Sequence, residues 1–248
     1  MQILLYAAAC LLVLTIPQQA KAQTIIRADS MTVMAAVATA SQLYVKQVQP
    51  ESVLFNGPEY VNRTLSSTIG HQFFLNAEPQ LGDITYRGAQ FKGVLLSYDL
   101  ALGQVVLTYP GPPVTITLVP EQVTNFSLGD HSFVRLLADS AAKSAAPTGF
   151  YEVLLPGPVS LLAHRTKRLE ETTVQQSLKL EFRQNDQLFV RTASTVAPAN
   201  NLKEVLALLP SHKAEVQRYA RRQKLRFSTV QRENSALKTL QYYYSLPQ

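Results

Sequence analysis

The chain has 248 residues, 46% of them apolar and 16% charged, with a formal net charge of +6 and one cysteine. This composition excludes a disordered, collagen-like or wholly membrane-embedded chain and supplies enough apolar residue for a core without covalent staples. One cysteine also excludes a disulfide framework, and the length allows one large all-β or α+β domain or two small ones.

The first predicted element is an export signal over residues 1–22. Ile3 to Ile16 reads ILLYAAACLLVLTI. A run this short falls below the roughly 20 residues that a transmembrane helix needs. Pro17-Gln18-Gln19 and then Ala20-Lys21-Ala22 follow, a polar stretch and an A-x-A cleavage pattern. The mature chain is expected to begin at Gln23. One departure is plain: Met1-Gln2 offers no lysine or arginine. Cys10 lies inside the apolar run, so cleavage leaves no cysteine. An exported chain without disulfides suits the periplasm or outer envelope of a Gram-negative bacterium. It also removes thiol catalysis and thiolate metal sites. Cleavage takes away Lys21 and leaves a net charge of +5. In an exported protein this favours anionic lipid, acidic glycan or an acidic protein partner, and not nucleic acid. No second apolar stretch is long enough to span a membrane.

Residues 23–51 form a lead-in. Ser30 is placed to cap a short helix over Met31–Ala38, and Pro50 ends the segment. Residues 52–199 read as an antiparallel β-rich region. Val53-Leu54-Phe55 and Tyr60-Val61 are expected as short strands around the turn Asn56-Gly57-Pro58. From Gly82 to Leu137, alternating apolar runs recur at close spacing, each ended by a turn signal, as in a β-meander. Turns are expected at Gly88-Ala89, Gly103, Pro110–Pro113 and Gly129-Asp130. Val114, Ile116 and Leu118 alternate with threonines, the clearest period of two in the chain. Ala138–Thr148 is expected to be a mobile hairpin tip. Strands then resume at Gly149–Leu155, Val159–His164, Leu178–Arg183 and Leu188–Thr192. Asn185-Asp186 is expected as a hairpin turn, and Arg165–Thr173 as a long exposed connection.

The period turns helical over residues 200–248. Asn200 or Asn201 is expected to cap Leu202–Leu209, Ser211 to cap His212–Gln223, and Asn234 or Ser235 to cap the last helix. In that last helix Ala236, Leu237, Leu240, Tyr243 and Tyr244 share a face, so the tail should dock on the sheet.

The strings LFNGPEYV, GHQFF, GDITYRGAQFKGVLLSYDL, GFYEVLLPG and the closing YYYSL together resemble a group of exported bacterial envelope proteins with no assigned activity. The similarity runs over nearly all of the mature chain and lies in the order of turns and strands. It implies an exported β-rich protein and carries no functional residues with it.

Catalytic signatures are missing. His71, His131, His164 and His212 show no short ligand spacing, so no metal site is expected. No G-x-S-x-G and no phosphate-cradling glycine loop occur, and no catalytic residue or cofactor is assigned. Asp83, Asp99, Glu121 and Asp130 sit beside turns, where a carboxylate commonly caps the backbone. The sharpest surface feature is basic: Lys213, Arg218, Arg221, Arg222, Lys224 and Arg226, a candidate contact for an anionic surface. His164, Arg165, Lys167 and Arg168 form a second basic group.

The expected fold is β-rich α+β: a curled antiparallel meander, partly open barrel or sandwich, with C-terminal helices packed on it. The leading functional expectation is an exported, non-enzymatic envelope protein that binds a partner or ligand. Two alternatives have structural signatures. A lipid or lipoprotein carrier requires an internal apolar cavity. An envelope hydrolase requires a cleft holding His71 or His131 beside a carboxylate.

Overall fold

The computed structural model describes residues 53–62, 64–109, 111, 114–138, 146–174 and 177–247. The expected signal, its cleavage site, Cys10 and the helix over Met31–Ala38 lie outside the described residues.

Ten antiparallel strands form one sheet: β1 Gln80–Tyr86, β2 Ala89–Asp99, β3 Gln104–Thr108, β4 Thr115–Thr117, β5 Val123–Leu128, β6 His131–Leu136, β7 Gly149–Leu155, β8 Ser160–Val174, β9 Ser177–Arg191 and β10 Val196–Pro198. Three helices follow: α1 Leu202–Leu208, α2 Lys213–Arg222 and α3 Arg232–Ser245. The strand order is β10-β9-β8-β7-β6-β5-β1-β2-β3-β4. Two meanders, β1–β4 and β5–β10, are therefore joined side by side through β1 and β5. The expected fold class is the observed one.

The sheet is strongly curled but not closed. In a flat sheet β2 and β7 would lie four strand spacings apart, about 19 Å. Yet the rings of Tyr98 on β2 and Phe150 on β7 are 5.7 Å apart. Phe126 and Phe133 stack at 4.6 Å beside them. All four rings are buried, and with Ile84, Tyr86, Leu96 and Leu107 they form the core of a barrel-like half. Where β8 reaches the end of β2, Lys167 N–H donates to Leu100 O at 3.1 Å, a single backbone bond with no ladder.

The other half is covered by helices. Val159, Leu161, Ala163, Leu188 and Val190 on β8, β9 and the residue before them pack against Val205, Val216, Ala236, Leu240 and Tyr243. The Tyr244 hydroxyl accepts from Val159 N–H at 2.9 Å and donates to Val159 O at 3.0 Å, which fixes α3 to the start of β8. Gly157 leaves room for that hydroxyl; a Cβ there would collide with it. The expected docking of the tail is thus realised.

Several local expectations change. Val53–Phe55 is a 3-10 turn and not a strand, and it delivers Leu54 fully buried into the barrel core. Tyr60-Val61 makes no strand; only Glu59 bridges to Ile116. The stretch from Val114 to Leu118 yields only the three residues of β4, flanked by single backbone bonds from Tyr109 N–H to Val114 O and from Leu118 N–H to Val105 O. Asn185-Asp186 is no turn, and Arg165–Thr173 is no loop. β8 and β9 pair without a break from Ser160↔Arg191 to Val174↔Ser177. Asp186 stays in the strand opposite Arg165, whose side chain it binds. The ends of the expected tip lie close together, since Ala138 N–H donates to Thr148 Oγ1 at 2.8 Å; residues 139–145 lie outside the described residues.

Asn201 caps α1, accepting from Glu204 N–H at 3.0 Å, while Glu204 reaches back to Asn200 N–H. Ser211 does not cap α2; His212 precedes it in a left-handed conformation without a side-chain capping bond. Neither Asn234 nor Ser235 caps α3, which starts at Arg232; Ser235 donates instead to Arg226 O.

Candidate functional site

A line of ionised groups separates the two cores. On β7, Phe150, Glu152 and Leu154 follow the alternation of one face. Phe150 belongs to the barrel core and Leu154 to the helix-covered core, so Glu152 falls between them. Its carboxylate is buried and accepts from His131 Nδ1 and from Arg165 Nε. Arg165 also donates to Asp186 Oδ2 at 2.8 Å and pairs with Glu233 on α3 at 3.0 Å. Arg232 donates to Asp186 O. Beside this network Lys167 Nζ donates to His71 O at 2.8 Å and Phe73 O at 2.6 Å. Burial holds the Lys167 ammonium below its ordinary pKa, opposed by Asp186 and Asp99. Every charge in this network has a partner, as buried charges require.

Next to the network the sheet opens. The β7–β8 ladder runs from Leu155↔Leu161 to Glu152↔Ala163 and stops there. Before Glu152, β7 stays with β6, while β8 swings toward Leu100. The strands part and leave a cleft of about 510 Å³. Tyr98, Phe150 and Leu100 line it, with Arg135, His164, Arg165, Lys167 and Arg168. Thr148, Thr166, Asn185 and Gln187 add neutral polar groups, and Glu121 is the one acid in the lining.

The cations of this cleft are not equally committed. Arg165 is held by the network, and Lys167 by the carbonyls of His71 and Phe73. Arg168 is exposed and has no ion pair among the described residues. Arg135 differs from both: its side chain is 14% exposed, and its closest acid is Glu121, 68% exposed and 3.8 Å away. That contact is too long for a hydrogen bond. His164 lies over Tyr151 with ring centroids 4.8 Å apart, and burial holds its pKa below the ordinary value against the pull of Asp186. Gly149 permits this close approach, since a Cβ there would lie 3.1 Å from His164 Nε2.

The sequence grouped His164, Arg165, Lys167 and Arg168 as one basic patch. The strand period divides them: Arg165 and Lys167 share one face of β8, His164 and Arg168 the other. Glu152, Asp186 and Glu233 were missed. The available signal was Glu152 itself, an acid in phase with Phe150 and Leu154. Asp83 and Asp99 serve the backbone as expected. Asp83 accepts from Gly93 N–H at 2.9 Å, and Asp99 from Ala101 and Leu102 N–H. The six basic residues Lys213, Arg218, Arg221, Arg222, Lys224 and Arg226 are all exposed.

His131 does meet a carboxylate, Glu152, but it does not line the cleft. His71 meets none among the described residues. The barrel interior is occupied by stacked rings, so the apolar cavity of a carrier is not found among the described residues. No group of three metal-ligating side chains occurs among them either. Compared with protein-family models, curated proteins and solved structures, the chain matches none.

Proposed function

We propose that this is an exported, non-enzymatic cell-envelope protein that binds a small anionic ligand in the β7–β8 cleft. Export is supported by the apolar run and A-x-A pattern of residues 1–22. The observation that carries the ligand's charge is Arg135. A guanidinium this far from water loses hydration, and the distant, exposed Glu121 compensates it poorly. A carboxylate or phosphate in the cleft would accept its planar pair of donors. Arg168 supplies a second uncommitted cation, and the surrounding hydroxyls and amides supply neutral partners. The volume suits a small polar molecule.

The experiment is an amide-resolved NMR titration of the protein with glucuronate and with inorganic phosphate. Shifts should centre on Thr148, Gly149 and Thr166 and vanish in Arg135→Gln. Arg135→Lys should keep only part of the affinity, because a point charge replaces a fork. Shifts confined to α2, or cleft shifts indifferent to Arg135→Gln, would remove the proposal.

A further inference from the structure

The basic helix α2 lies outside the cleft and presents a different surface. Val216 and Ala220 are its buried residues, facing the core. At 100° per residue, Arg218, Arg221 and Arg222 fall on the opposite side, and all three are exposed. None has an ion-pair partner among the described residues. The one acid beside them, Glu215, lies 3.5 Å from His212 Nδ1 and forms no ion pair with any of the three. With Tyr242 on α3, these residues line a shallow hollow of about 490 Å³. Tyr242 is held there by a parallel stack on Tyr219, with centroids 4.0 Å apart. The connection leaving α2 carries Lys224 and Arg226, both exposed, and then Val230, which is 91% exposed.

Uncommitted arginines alone would suit any polyanion. Two further features select among them. Tyrosine at the edge of a cationic surface is the amphipathic side chain favoured at membrane interfaces. A fully exposed aliphatic side chain gains nothing from a hydrated glycan but gains burial among acyl chains. We infer that the exposed face of α2, together with the connection after it, docks this protein on an anionic lipid bilayer, with Val230 as its apolar contact.

The test is co-sedimentation of the full chain with phosphatidylcholine vesicles, with and without phosphatidylglycerol. Because residues 1–22 are themselves apolar, the readout is the difference between variants that all retain them. Replacing Arg218, Arg221 and Arg222 by glutamine should lower partitioning onto the anionic vesicles by roughly a hundredfold at low salt, on the order of a few-fold to tenfold per cation. Replacing Lys92, Lys179 and Lys203 by glutamine removes the same charge from other exposed positions and should cost far less. Val230→Ser should weaken binding by several-fold and leave its salt dependence unchanged. Equal losses in the two triple variants would overturn the proposal, since net charge alone would then explain binding. So would binding indifferent to phosphatidylglycerol, or retention on an acidic polysaccharide with none on the vesicles. The cleft takes no part in these measurements, so either proposal can fail alone.

Discussion

Phe133 and Leu240 are both buried to 1% exposure or less, yet they are covered in opposite ways. Phe133 sits in the barrel half, where the sheet curls until its own inner face provides the cover. Its neighbours Tyr98 and Phe74 come from distant parts of the chain, while Phe126 is its partner on the adjacent strand β5. Leu240 sits under the same sheet's other half, where consecutive C-terminal helices provide the cover. The first mode depends on curvature and long-range contact. The second depends on one amphipathic stripe laid on a strand pair. The ionic line through Glu152 and Arg165 marks where one mode gives way to the other, and the cleft opens there because β7 follows the barrel while β8 leaves it. The cleft proposed above as a binding site thus lies at a discontinuity of the fold.

The largest expected effect is on that boundary. Arg165→Met should leave the Glu152 carboxylate buried with only His131 and should cost about 3–5 kcal/mol in urea denaturation. A cost under about 1 kcal/mol would mean that the network does not hold the two halves together. Phe133→Ala should cost a comparable amount, about 3–5 kcal/mol, and lower protection from hydrogen exchange across β5 and β6. Leu240→Ala should cost about 2–5 kcal/mol and act differently: the helix amides should exchange faster while β5 and β6 keep their protection. Uniform acceleration in both variants would erase the distinction between the halves.

Smaller effects sharpen the same contrast. Tyr244→Phe removes the hydroxyl that binds Val159 N–H and O, and should cost about 1–3 kcal/mol, confined to the docking of α3. Acid should also act at the cleft and beside it. Burial depresses the His164 pKa, and burial together with the Lys167 charge depresses that of His71. A histidine depressed in the native state stabilises the fold fully above its unfolded value of about 6.5. The unfolded chain takes up protons first as pH falls, so stability is lost from about 6.5 downward toward the native value. A melting curve series should show this fall, and His164→Gln should flatten it. An unchanged profile in that variant would assign the acid sensitivity elsewhere.

Patterns of short range were legible in the chain. Alternation in β1–β3 and β5–β7 marked strands, and Gly88, Gly103 and Gly129 marked three turns that the structure contains. The helical stripe of Ala236, Leu240 and Tyr243 marked a docking face. The misreadings share a cause. Asn185-Asp186 has the chemistry of a turn, but a fifteen-residue ladder and the Arg165 guanidinium hold it extended. Leu54 looked like part of a strand, but the barrel core needed a plug more than a ladder. The cleft was invisible because its walls come from six stretches of the chain and its charges differ only in how they are paired.

Residue order alone therefore determined the strand-rich class, the antiparallel pairs across the turns at Gly88, Gly103 and Gly129 and the helical end, because these follow from side-chain period and backbone chemistry over a few residues. Only the tertiary structure decided how far the sheet curls, which of the basic residues are neutralised and where β7 and β8 separate. Those outcomes depend on contacts such as Tyr98–Phe150 and Glu152–Arg165. Charge pairing acts through space over a few ångströms, and a linear sequence does not record that distance.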